Sequence, residues 1–185
     1  MRKNFGAQPY LYPLPVLIIG TYDENGKPNA MNAAWGTICD MNKISLYLTA
    51  SHKTVKNLLK TGAFTVSMAD AKNVVPADYV GIVSGNKVGN KVENAGWTVE
   101  KSAFVNAPII NELPFTLECK VLSYDNESEN LIGEIVNVCA DESILNKDGN
   151  IDLDKFRPLA YDSANHGYYT LGQKIGNAFE VGKNV

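Results

Sequence analysis

Ser51, His52, Lys53 and Thr54 put two hydroxyls, an imidazole and an ammonium into four consecutive positions, with no carboxylate among them. They open the segment Ser51–Gly62, in which Val55, Leu58 and Leu59 fall at i, i+3 and i+4 and make one apolar stripe. Ser51 is a good N-cap, because its hydroxyl can accept from first-turn N–H groups. Gly62 stands where helices usually stop. The spacing predicts a short helix over 51–61. A helix N-terminus carries about half a positive charge and exposes N–H donors, so it ordinarily draws Asp or Glu. Lysine and hydroxyls there suit an anion arriving from outside; the alternative is a solvated surface helix that merely begins with Ser.

Two further stretches could join that turn in one site. The strand-like Asn29-Ala30-Met31-Asn32-Ala33-Ala34-Trp35-Gly36-Thr37 is unusually rich in small residues. Small side chains let a flat ligand approach the backbone, whose N–H and C=O groups can bond a heterocycle edge. Trp35 could wall such a ligand or be ordinary core. The run Tyr79–Lys91 ends in a Gly- and Asn-rich loop and a lysine, able to fold over a ligand or simply to be a surface loop. A molecule with both a ring system and a phosphate would span all three stretches.

The elements that must position these residues read as mostly β. Pro15–Tyr22 is an apolar run fit for a buried strand, and Asp23-Glu24-Asn25-Gly26 is a turn leading to a second strand, Asn29–Ile38. Ile44–Leu48, Phe64–Met68 and Phe115–Val121 alternate apolar and polar with period two. Leu131–Ala140 closes the series, with Gly133 placed to mark a bulge. Asp70–Pro108 breaks the pattern and reads as an insertion over one end of a closed or nearly closed antiparallel barrel, with a short helix at Ala77–Val83.

The chain has 185 residues, enough for one domain with a sizeable core, and 1–185 is taken as a single domain. Its net charge of −3, without a block of one sign, argues against nucleic acid as partner, since phosphate backbones need clustered Lys and Arg. Val16–Ile19 is too short for a signal peptide or a bilayer span, so no membrane partner is expected and a cytoplasmic location is the default. Cys39, Cys119 and Cys139 are widely spaced, with the latter two inside strand-like segments, and His52 and His166 have no ligand-like neighbours; no metal site is expected. There is no Gly-x-Gly-x-x-Gly, Walker loop or Gly-x-Ser-x-Gly elbow. Asp148–Asp154 resembles a calcium loop only faintly, because Leu153 stands at the position that requires Gly, and reads better as a turn before a short helix or strand.

From Tyr12 to about Thr170 the chain resembles the flavin reductase-like FMN-binding split barrels, and among them the flavoredoxins. The resemblance rests on ordered pieces: Pro13-Leu14-Pro15-Val16; Asn29 with Trp35 six residues on; Ser51-His52-Lys53-Thr54; Ala77–Gly85 with Lys91; and Ala107-Pro108 before Leu117–Val121. It implies a homodimeric, mostly β (α+β) fold, a six-stranded antiparallel split barrel with a few short helices, holding FMN near the subunit interface. On that resemblance the ring would lie along Asn29, Asn32, Ala33, Ala34, Trp35, Gly36 and Thr37. Ser51, Lys53 and Thr54 would take the phosphate, His52 would belong to the same cofactor-binding turn, and Lys91 would reach the flavin or its phosphate. Two departures stand out. Asp40-Met41-Asn42-Lys43 replaces a Pro-Pro pair seen in many relatives, and Lys53 replaces an Arg, a point charge in place of a bidentate fork.

The implied activity is that of a flavoprotein oxidoreductase, either an NAD(P)H-dependent flavin reductase or a flavoredoxin-like carrier passing electrons to a redox protein. No protein group need be catalytic, since the flavin carries the chemistry. The rival is a non-catalytic dimeric β-barrel that binds another phosphorylated or planar ligand.

Overall fold

A computed structural model describes residues 1–183. The apolar run expected from Pro15 is two strands, β1 (Leu14–Pro15) and β2 (Leu17–Tyr22). The second expected strand is also two, β3 (Pro28–Ala33) and β4 (Gly36–Asp40), followed by β5 (Lys43–Tyr47). Then come α1 (Lys53–Thr61), β6 (Ala63–Met68), α2 (Val74–Ile82) and α3 (Lys91–Asn94). The short pair β7 (Val99–Lys101) and β8 (Pro108–Ile110) precedes the long hairpin β9 (Phe115–Asp125) and β10 (Asn130–Ala140). The chain finishes with α4 (Leu153–Phe156), β11 (Leu159–Asp162) and β12 (Gly167–Thr170).

Seven strands form one antiparallel sheet in the order β3-β2-β6-β9-β10-β5-β4. Its two edge strands are consecutive in the chain, with only Ala34 and Trp35 between them. The sheet must therefore curl until its edges approach, giving a split barrel whose gap is bridged by that dipeptide. This corner is why the expected continuous strand Asn29–Ile38 breaks, and why six expected strands become seven. The Tyr47 N–H donates to the Trp35 carbonyl at 3.0 Å and pins the corner. Gly36 is required there, because a Cβ would lie 2.4 Å from Leu46 Cδ2 and 2.8 Å from Leu17 Cδ1. Part of the small-residue signature thus belongs to packing.

β2 is buried on both faces, which explains its unbroken apolar run. Leu17 and Ile19 point into the barrel with Leu46, Phe64, Val66 and Leu131. Val16 and Ile18 point the other way, against Ala77 and Val80 of α2, Val92 of α3 and Trp97. Helix α1 closes one end of the barrel with Val55 and Leu58. Leu59, expected on the same stripe, is exposed. Asn57 is buried in its place, its amide donating to Thr21 Oγ1 at 3.1 Å. The expected bulge at Gly133 is present, with a register shift between Ile132 and Gly133. A Cβ there would meet the Phe64 ring at 2.4 Å, so the glycine makes room for a fully buried core phenylalanine.

Two elements cover the sheet from outside, one from the insertion and one from the last hairpin. α2 runs from Val74, three residues before the expected Ala77, because Asp70 caps a 3₁₀ turn (Ala71–Asn73) that leads directly into it. The last hairpin, β11–β12, joins β1 in a separate three-stranded sheet, and that pairing is what draws Leu14–Pro15 away from β2.

Candidate functional site

Three cavities meet along β3. The first, of about 300 Å³, is lined by Asn29 and Asn32 of β3, Lys53 and Thr54 of α1, Gly85 of the covering loop and Lys91 of α3. A second, of about 420 Å³, continues past Asn32 and His52 to Ala33, Ala34 and Trp35, and is walled by Tyr47, Tyr161 and His166. A smaller one reaches from Asn32–Ala34 toward Asp78 and Tyr168. Gly36 and Thr37 line a fourth cavity on the other side of Trp35, with Leu11 and Glu129. The sequence-predicted residues therefore divide. Asn29, Asn32, His52, Lys53, Thr54 and Lys91 come together in the first cavity and Ala33, Ala34 and Trp35 in the second, while Gly36 and Thr37 lie beyond the tryptophan.

Ser51 departs from expectation. The helix begins at Lys53, its N-cap is His52, and no side chain caps it. Ser51 is exposed and its carbonyl accepts from the Asn86 amide at 3.1 Å. The turn from Thr49 to His52, closed by the His52 N–H on the Thr49 carbonyl at 3.0 Å, is what shifts the start by one position. The consequence favours an anion: the first-turn N–H groups have no intramolecular carboxylate or hydroxyl cap.

Thr54 is buried, and its Oγ1 accepts from the Asn29 amide at 2.8 Å, which leaves the threonine proton to donate elsewhere. That bond fixes α1 to β3. Gly85 brings the covering loop onto the same pair, so close that a Cβ would lie 2.3 Å from Asn29 Oδ1 and 3.3 Å from Lys53 Cβ. Lys53 Nζ stands 3.7 Å from Asp23 Oδ2, a loose and half-exposed pairing. Lys91 is different. It is only 3% exposed, and among the described residues it belongs to no salt bridge. Burial pushes its ammonium down to about 8. A buried cation without a counter-charge is costly, and this one lines a cavity with a second lysine, an uncapped helix end and no carboxylate.

The wall facing Trp35 is built from Tyr47, Tyr161 and His166, none of which the sequence marks as a site residue. Trp35 is 56% exposed, so it is neither core nor a closed wall but a ledge between two cavities. Opposite it, Tyr161 Oη and His166 Nδ1 are 2.8 Å apart. Tyr168 donates to Asp78 Oδ1 at 2.8 Å, and burial together with that bond pushes its phenol up to about 12. The Asn32 amide donates to the Ala77 carbonyl at 3.0 Å, docking α2 on β3. The readable signal for this wall was the pair of short aromatic runs Leu159–Asp162 and Gly167–Thr170 around a Ser-Ala-Asn-His turn, a hairpin pattern.

An uncapped helix end, a buried ammonium with no carboxylate partner among the described residues and a strand edge with small side chains are the groups that bind a phosphorylated planar molecule. The comparisons agree with that class. Residues 10–171 match the family described as flavin reductase like domain, and the chain belongs to that family. The chain is similar to the flavoredoxin of Desulfovibrio vulgaris (Miyazaki F), with 36% identity, 99% of this chain and 100% of that one covered, and a TM-score of 0.94. It is also similar to the flavoredoxin of Methanosarcina acetivorans, at 28% identity, 100% and 98% coverage and a TM-score of 0.89. An FMN-binding domain of a flavin reductase-like enzyme from Shewanella baltica shares the fold, at 23% identity, 88% coverage of each chain and a TM-score of 0.79. An uncharacterized protein of Aquifex aeolicus is 28% identical over 156 residues, 80% of this chain and 79% of its own length. An uncharacterized Aeropyrum pernix protein is 25% identical over 156 residues, 82% of this chain and 58% of its own length.

Proposed function

We propose that the groove along β3 holds FMN and that the protein is a flavin-dependent oxidoreductase or electron carrier, built as a single domain over 1–185. The observation that carries this reading is Lys91, a buried ammonium that pairs with no carboxylate among the described residues and lines a cavity with Lys53, Thr54 and the start of α1. Lys53, Thr54, Lys91 and the first-turn N–H groups of α1 hold the phosphate; Ser51 and His52 shape the turn that presents them. Asn29 positions Thr54 through their hydrogen bond. The ring lies against Asn32, Ala33, Ala34 and Trp35, and Gly36 and Thr37 continue that surface past the tryptophan. Bound FMN supplies one- and two-electron redox chemistry at its ring, and the chain supplies binding, orientation and electrostatics.

The partner is NAD(P)H or a redox protein. The flavoredoxin similarity favours the protein partner, and anaerobic titration of the bound flavin with NADH and NADPH separates the two. A cytoplasmic homodimer is part of the same proposal. It is supported by the exposed apolar residues Trp35, Ile38 and Met41, all on or beside the edge strand β4, since exposed apolar patches ordinarily mark contacts. The direct test of the site compares FMN with riboflavin on the parent protein and on Lys53→Ala. Loss of FMN affinity with riboflavin affinity retained supports the phosphate assignment; equal FMN affinity in both proteins refutes it.

A further inference from the structure

The segment before β1 runs exposed from residue 1 to 13, yet it is tied down at two points beside the groove. The Ser163 hydroxyl donates to the Pro9 carbonyl at 3.0 Å. The Tyr12 hydroxyl donates to Asp162 Oδ1 at 2.7 Å. Asp162 is a strong anchor: it is buried, it also accepts from the Asn165 amide and the Ala164 and Asn165 N–H groups, and these bonds with that of Tyr12 hold its carboxyl down to about 2. Both ties land on the turn of the β11–β12 hairpin, which also carries His166. The result is that Pro9 faces the cavity beside Ala34 and Trp35, and Leu11 faces the cavity on the far side of Trp35.

We propose that this segment is a latched strap that sets which molecules reach the ring end of the groove, with Tyr12 and Ser163 as its latch residues, small acceptors or donors as the admitted class and larger planar ones held back. Strand β3 supplies one wall of the ring-end cavity and the hairpin turn the other, and the strap bridges them on the outside. Its backbone is held by side-chain hydrogen bonds and not by apolar burial, since Phe5, Tyr10, Leu11 and Tyr12 are all exposed. Such a segment encloses a ligand while remaining easy to release. That the enclosed surface receives a flavin ring rests on the functional proposal above.

The test uses a variant lacking residues 2–9 and the double substitution Tyr12→Phe with Ser163→Ala, which frees the strap without cutting it. The first readout needs no flavin. Trp97 is buried at 3% exposure, so quenching of tryptophan emission reports Trp35. With one wall gone, quenching by the planar probe N-methylnicotinamide should roughly double, while that by small acrylamide changes less. The second readout is reoxidation of the reduced, FMN-loaded protein by ferricyanide and by the bulky planar dye dichlorophenolindophenol; both variants should favour the dye relative to the parent. Unchanged quenching and an unchanged ratio of the two rates in the folded variants would overturn the strap. A parent that takes up no FMN would instead refute the functional proposal, and the quenching comparison would still decide the strap.

Discussion

At the Lys53 end of the groove the walls come from β3, the start of α1 and a loop that glycine lets settle directly on them. At the Trp35 end they come from residues 9, 47, 161 and 166, which meet only because three distant parts of the chain converge. The first end is cross-linked by buried polar bonds, Asn29 to Thr54 and Asn57 to Thr21. The second has an exposed indole and a wall of exposed strap. The difference teaches a division of labour. A rigid, cationic end suits retention of a charged ligand, because preorganised donors in a partly dry site are worth more than solvated ones. An aromatic end edged by a releasable strap suits exchange with selected partners.

Four substitutions or conditions can break that contrast. The largest effect is expected from Ala34→Phe. Ala33 also packs against the barrel core, whereas Ala34 belongs to no core cluster and lines the ring-end cavity. The phenylalanine should leave a folded protein that purifies with little or no flavin, read by the visible-to-ultraviolet absorbance ratio; full flavin content would move the ring elsewhere. Next is Lys91→Met, which removes the buried charge but keeps the stem. A hydrogen bond to a charged group is worth about 1.5–3 kcal/mol, and the burial of Lys91 in the cavity wall puts it at the upper end, about 100-fold in FMN dissociation constant. Thermal stability should be unchanged or higher, because an apolar replacement relieves an unpaired buried charge. A variant that loses stability but keeps FMN would make Lys91 structural.

Lys53→Ala should cost about tenfold, the lower end of the same range, because Asp23 already draws part of that charge. The smallest effect is one of pH. Lys91 titrates near 8, and only its charged form attracts phosphate. FMN affinity should be level from pH 7 to about 8 and then fall, by at most about tenfold per pH unit, as binding must take up a proton. Isothermal or fluorescence titration across pH 7–9.5 reads this, and Lys91→Met should lack the decline. A parent whose affinity does not change over that range contradicts the placement of Lys91 at the phosphate.

The same contrast decides what could be read in the sequence. The rigid end was legible because it is local: a helix start without carboxylates, a glycine stop at Gly62 with φ of 70°, and a loop ending in Lys91. The mostly β barrel was legible from period-two strands and from the family resemblance. What escaped was set by long-range closure. Nothing in Asn29–Thr37 announces that the sheet must turn a corner at Ala34–Trp35 to bring its two edges together, so one strand was expected where two exist. Ser51 looked like the cap because it has the right chemistry, but the Thr49–His52 turn moved the helix start past it. Tyr161 and His166 were invisible as site residues because β11 reaches the groove only by pairing with β1, nearly the whole chain away.

The proposed binding of FMN through its phosphate in the groove along β3 is tested by the absorbance spectrum of the full chain, mixed with excess FMN and passed through gel filtration. A flavin band should co-elute with the protein at close to one FMN per chain, and none when riboflavin replaces FMN at the same concentration. A colourless protein peak after FMN, or equal retention of riboflavin, would contradict it.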